Sequence, residues 1–279
     1  MLYAVVRVLA VLAALGLGIA RSAADNEPPV QNPNIVISYI APAKPELKGI
    51  HDRLREHSAL EQLSGLLAPL NLPQRLFLTA KQCDADHAPY QAGGPVIICY
   101  EEVARIEAIA KQPSALGVTR EHMIVAAFVQ MVLHKSANAV LDVYNVPIWG
   151  RSEDAADRVA ALIMLNFGPE IAQFTILGAA AFFEASEKTW TGSDFASAAS
   201  PEAQRYYNYL CMAYGQDQMT FRTVVEEGFL PEFRAVRCAS EYQDAALAFL
   251  KVVMPNVDEG RMRQVRVSIP LVTIPMDSN

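Results

Sequence analysis

The sequence predicts an α+β protein in which a small sheet precedes a larger, mainly helical body. Two observations carry this. Short β-branched runs bounded by turn residues fall within the first hundred positions, and apolar residues at helical spacing run almost without a break from Glu101 onward. "IVISYI" (Ile35 to Ile40) reads as a first strand. Pro45 to Leu70 carries Leu47, Ile50, Leu54, Leu60, Leu63, Leu66 and Leu67 at helical spacing and reads as one or two amphipathic helices. "QRLFLTA" (Gln74 to Ala80) is a second strand, and a Gly-Gly-Pro turn introduces a third, Val96 to Tyr100. The last two strands flank Cys83 and are expected to pair antiparallel. Helices are expected at Glu102–Lys111, Arg120–Tyr144, Glu153–Leu165, Ile171–Glu187, Pro201–Tyr214, Thr220–Glu227 and Cys238–Val253. Arg263 to Pro275 is β-branched and broken by prolines, so it reads as an extended strand or an unpaired arm.

The first residues, "MLYAVVRVLAVLAALGLGIARSAADNEPP", place Arg7 before an uninterrupted apolar run, Val8 to Ala20, with Ser22, Ala23 and Ala24 as small residues for cleavage. This is the pattern of a secretory signal peptide over residues 1–24. The alternative is an uncleaved membrane anchor, but the run is shorter than the roughly 20 residues that span a bilayer. Contact with a membrane is expected only in that case. A polar, proline-rich lead-in at 25–34, one domain at 35–255 and an extended tail at 256–279 follow. The net charge of −7 comes with no long basic run, which argues against nucleic acid as a partner. Export puts Cys83, Cys99, Cys211 and Cys238 in an oxidising compartment. Of the three possible connectivities, the sequence-local pairs Cys83–Cys99 and Cys211–Cys238 are preferred. A zinc ribbon is disfavoured, because no CxxC pair exists.

The stretch "VLHKSANAV" (Val132 to Val140) has the frame of a zinc-hydrolase helix with central letters changed. In HExxH enzymes two histidines one helical turn apart face one metal, and the glutamate after the first acts as general base on the metal-bound water. Here His134 stands at the first ligand position, Lys135 at the general base and Asn138 at the second histidine. Downstream, "EDAAD" supplies Glu153 and Asp157 in the ExxxD spacing that contributes a third ligand and a carboxylate behind a ligand histidine. The alternative is a hydrogen-bonded core histidine in an ordinary buried helix, since both spacings are common by chance. No histidine follows His134 in the chain.

Four segments carry a wider likeness: "CDADHAPYQAGGPVIICYEE", "MVLHKSANAVLDVYNVPIWGRSEDAADRVAALIML", "SPEAQRYYNYLCMAYGQDQ" and "GFLPEFRAVRCASEYQDA". On these the chain resembles an uncharacterised family of secreted bacterial proteins regarded as zinc metallopeptidases with an HExxH helix. The resemblance covers most of the chain beyond the signal segment. It implies a zincin-like, metallopeptidase-like domain over 35–255, a strand beside the metal helix, two disulfides and export to the periplasm or medium. It also implies that His134 and Glu153 sit at metal-ligand positions, with Asp157, and Asp154 beside it, behind them. Lys135 and Asn138 depart from the family pattern. An amide oxygen is a poor zinc ligand beside imidazole. An ammonium near a dication is repelled, by about 4 kcal/mol for each unit charge at ~4 Å and an effective dielectric of ~20.

The reading is therefore a catalytically inactive pseudopeptidase that binds a peptide or protein partner and holds no cofactor. Its alternatives are an active metal-dependent peptidase with an altered, weakly held zinc, and a structural component of the cell envelope. Lys135 is expected to stand in for the metal by pairing with Glu153 or Asp157; the alternative is a lysine bent outward into solvent.

Overall fold

The computed structural model describes residues 30–265 apart from 86, 167 and 187–195. The expected signal segment and residues 266–279 of the expected tail lie outside the described residues. What is described is a mainly helical α+β domain with a three-stranded sheet near its N-terminal side.

Strands β1 (Ile35–Tyr39), β2 (Leu76–Lys81) and β3 (Val96–Cys99) lie in the order β1-β2-β3 and are all parallel. The expected antiparallel pairing of β2 with β3 is therefore corrected: Leu78 lies beside Val96 and Lys81 beside Cys99, both strands running the same way. The Gly-Gly-Pro turn does not join the strands as a hairpin. It sits at the far end of a crossover over residues 82–95, long enough to return the chain to the start of a parallel neighbour. Alternation sets the faces. Leu76, Leu78, Ala80, Val96 and Ile98 are buried, while Val36 and Phe77 on the opposite face stay exposed. The crossover from β1 to β2 holds two helices, α1 (Lys48–Glu56) and α2 (Ala59–Ser64).

A polar, proline-rich lead-in reads as flexible, but at its end Asn32 is buried at 3% exposure. Its amide donates to the carbonyls of Leu67, Ala68 and Leu70, at and just beyond the end of a short 3-10 turn after α2.

β3 runs directly into α3 (Tyr100–Ile109). Tyr100 is fully buried there, and its hydroxyl donates to the carbonyls of Ile40 and Ala80 at the C-terminal ends of β1 and β2. The helical body comprises α4 (Arg120–Val143), α5 (Ser152–Leu165), α6 (Pro169–Ala185), α7 (Glu202–Gln216), the single turns α8 (Thr223–Glu226) and α9 (Glu232–Ala235), and α10 (Cys238–Val253). α4 is the axis of the body, with α5 and α6 packed on it, α7 on α6 and α10 on α7. It is long and apolar enough to cross a membrane, yet 83% of its apolar window is buried in the protein, as befits a core helix.

Both disulfides join the sequence-local pairs, Cys83–Cys99 and Cys211–Cys238. The first ties the end of β2 to the end of β3. The second ties α7 to the start of α10, and Gly215 lies one turn on from Cys211. A Cβ added at Gly215 would lie 2.1 Å from the carbonyl oxygen of Cys238, a clash with backbone that no side-chain rotation relieves. Gly215→Ala is expected to destabilise by about 1–3 kcal/mol through overpacking. Chemical denaturation reads this directly; an unchanged midpoint would mean that α7 and α10 do not approach this closely.

The tail expected to be extended from residue 256 begins instead with a 3-10 turn, Met254–Asn256, and a helix, α11 (Glu259–Gln264). Asp258 caps α11 by accepting from the Arg261 amide at 2.8 Å. Val257 makes an antiparallel bridge to Leu70, which ties this segment to the start of the domain.

Candidate functional site

Gln130, His134 and Asn138 recur every four residues and so lie along one face of α4. Glu153 and Asp157, one turn apart on α5, and Arg205 and Tyr209, one turn apart on α7, converge on that face. His134 is held from both sides. Its Nδ1 is 2.7 Å from Asp157 Oδ1, and its Nε2 is 2.8 Å from Glu153 Oε2. Asp157 in turn accepts Arg205 Nε at 2.7 Å and Arg205 Nη2 at 2.8 Å, a bidentate pair. Gln130 Nε2 donates to Asp157 Oδ1 at 3.0 Å and to the Tyr209 hydroxyl at 2.9 Å. The Arg205 guanidinium also lies over the Phe183 ring, 4.1 Å from its centre.

The proton inventory follows from the contacts. An ionised carboxylate only accepts hydrogen bonds, so a ring held between two of them must donate from both nitrogens. The two contacts favour the imidazolium form of His134. Burial pulls its pKa down, but the neighbouring Asp157 and Glu153 outweigh burial and raise it above the ordinary 6.5. Glu153 is lowered from 4.5, chiefly by its hydrogen bond to His134. Burial works against ionisation of Asp157, yet Arg205 and His134 hold its carboxyl far below the usual range. Arg205 is raised by Asp157 against the opposing effect of its burial.

Stability should therefore depend on pH at both ends. Below pH 6.5 the contribution of His134 is fully present, and it is lost as pH climbs through the raised folded-state pKa. The contribution of Asp157 is present above pH 3.8 and is lost as pH falls through its depressed folded-state pKa. Melting temperature against pH should show a plateau between these limits, and His134→Gln should remove the alkaline decline. A decline that survives the substitution would mean that His134 is not the group responsible.

Three sequence-based expectations are corrected here. Lys135 does not pair with Glu153 or Asp157, and it does not bend into solvent. It is 7% exposed, and its ammonium donates to Glu102 Oε2 at 2.7 Å, the Ala88 carbonyl at 2.9 Å and the Ile97 carbonyl at 3.0 Å. The reason is angular: one step along a helix turns a side chain by roughly 100°. Lys135 therefore faces β3, α3 and the 82–95 crossover, while His134 faces α5. Asp154 likewise points away from the His134 cluster, and its Oδ1 accepts the Ser200 amide at 3.2 Å.

The sequence reading missed Gln130, Arg205, Tyr209 and Glu102. Gln130 stands one turn before His134, and Arg205 and Tyr209 share a face of the helix expected at Pro201–Tyr214; the four-residue spacings are the available signal.

A zinc ion fits these donors poorly. Tetrahedral zinc at ~2.0–2.2 Å from each donor holds a nitrogen and an oxygen ligand about 3.4 Å apart, whereas His134 Nε2 and Glu153 Oε2 lie at hydrogen-bond distance. Asn138 turns its amide nitrogen to Glu153 Oε2 at 3.1 Å; the flipped amide would set two acceptors against each other. Among the described residues, no three His, Cys, Asp or Glu side chains are arranged to hold a metal ion.

A family model described as putative metallopeptidase matches residues 39–251. No curated protein and no solved structure matches the chain.

Proposed function

The chain belongs to that putative-metallopeptidase family, and on this premise we propose that it is an exported pseudopeptidase, inactive in peptide hydrolysis, whose fold serves to bind a peptide or protein partner. One observation supports the proposal: both ring nitrogens of His134 lie at hydrogen-bond distance from carboxylates, 2.7 Å and 2.8 Å, closer than two ligands of one zinc ion stand to each other. The position of the general base supports it as well. Lys135 is a buried ammonium whose three protons are all donated, so it has no site to take a proton from water. Trp149 supports a binding role. It is 98% exposed on the loop between α4 and α5, four residues before Glu153, and exposed tryptophans are frequent anchors at interfaces. Export rests on the 1–24 signal pattern together with two disulfides, which suit an oxidising compartment.

The test is elemental mass spectrometry of the purified protein after equilibration with micromolar zinc and removal of the excess. Zinc at background is the expected result. Near-stoichiometric zinc would overturn the proposal, because it requires His134 to give up its proton to a metal and a further ligand to be found.

A further inference from the structure

One face of α10 is exposed along its length. The helix packs on α7 through the other face, where Cys238 is fully buried and Ala245, Phe249 and Val252 rest against the core. α9 leads into it with little break, since Val236 and Arg237, which join the two, both keep right-handed helical backbone. On the outward face the exposed positions recur in steps of three and four, the heptad spacing of a helix–helix seam. Phe233, Val236, Leu247, Leu250 and Met254 hold five of these positions and are 80%, 79%, 52%, 50% and 44% exposed. Ser240 and Gln243 hold the two between and are exposed as well. Apolar residues scattered singly over a surface need no partner, but a row of them on one stripe marks an interaction surface.

We propose that two copies of this chain pair through the stripe, α10 against α10, antiparallel about a two-fold axis level with Leu247 and Ala248. Charge selects both the occupant and the direction. Arg237, Asp244 and Lys251 are exposed and follow one another at seven-residue intervals along a single flank of the stripe. When two copies of a helix pair antiparallel about a two-fold axis, like flanks meet with their order reversed. The axis at Leu247 and Ala248 then sets Asp244 of each copy beside Lys251 of the other, giving two opposite-charge pairs in one interface. A parallel pair would set this flank against the opposite one, where Ala239, Ala246 and Val253 offer no charge.

The apolar positions suit the same register. Leu247 meets its own counterpart at the axis. Met254 of each copy passes the small Ser240 of the other toward Val236, so both ends of the stripe are covered. The sixteen residues of α10 make a contact about 24 Å long and about 10 Å wide. That footprint is below the ~800 Å² per partner of a standard interface, so the dimer forms and dissociates with concentration. The stripe faces away from α7, which carries Arg205 and Tyr209, and the proposal does not depend on the proposed function.

Sedimentation velocity of the purified protein over a range of concentrations tests it. A reversible monomer–dimer equilibrium is expected, and Leu247→Glu, at an exposed position, should leave only monomer. Asp244→Lys and Lys251→Asp should each weaken pairing by about tenfold, by setting like charges together. The double variant Asp244→Lys, Lys251→Asp should restore it, which a merely misfolded variant cannot do. Monomer at every concentration would overturn the proposal, the stripe then belonging to a different partner or to another part of the chain. A dimer that survives Leu247→Glu would place the contact on another face and sink it equally. Failure of the double variant to regain pairing would refute the antiparallel register.

Discussion

Asp157→Ala should cost about 3–5 kcal/mol, the largest loss expected from any single substitution at the site. Asp157 is buried and accepts from Arg205 twice, from His134, and from Gln130. Removing it leaves a guanidinium and an imidazolium close together in a poorly hydrated interior with no counter-charge between them. The guanidinium cannot escape by losing its proton. The imidazole can, so part of the cost appears as a fall in the His134 pKa rather than as lost stability. Against a typical total of ~5–15 kcal/mol for a domain, the substitution removes a large share of the folding free energy. Urea denaturation measures it. Glu153→Gln is the comparison: the Glu153 side chain is 25% exposed against 10% for Asp157, and it has no arginine behind it. Its effect should be clearly smaller. If the two substitutions cost the same, the guanidinium does not anchor this network.

Lys135→Met should cost about 3 kcal/mol or more, for the same physical reason with the signs reversed. The thioether fills most of the volume but donates nothing. Glu102 is left as a carboxylate only 12% exposed without its cation, and the Ala88 and Ile97 carbonyls lose a donor. Joining Glu102→Met to Lys135→Met removes both charges, and the double variant should recover most of the loss. Full recovery is not expected, because Glu102 Oε2 also accepts the Cys99 amide at 3.3 Å. A double-mutant cycle gives the coupling directly. A coupling near zero would show that Lys135 and Glu102 do not interact in solution. The pair has a structural role as well. It draws together α4, α3, the 82–95 crossover and β3, so Lys135→Met should also raise hydrogen exchange in the crossover, where Tyr90 and Gly93 are pinned separately to Asp142.

Much of this molecule was legible in its sequence because the relevant signals are local. Helical spacing located α10 to the residue, Cys238–Val253. The run "QRLFLTA" located β2 to within two residues, and the local disulfides were the preferred pairs. ExxxD spacing put Glu153 and Asp157 on one face of α5, and both reach His134. The replacement of the second histidine by Asn138 and of the general base by Lys135 needs no structure to be seen.

Tertiary structure alone decided the rest. Strand direction depends on where a long crossover returns, and the fourteen-residue connection between β2 and β3 carries no hairpin signal to settle it. The partners of a charge depend on which neighbours its helix face meets. Lys135 and His134 are adjacent in sequence, yet the turn of the helix sends one to Glu102 and the other to Asp157. Arg205 lies 48 residues from Asp157 and is found only once α7 packs beside α5. Sequence by itself determined which residues were available to the site, because composition and spacing are properties of the chain. Only the packed structure decided which of them met, because ion pairs form between surfaces that are distant in sequence until the core brings them together.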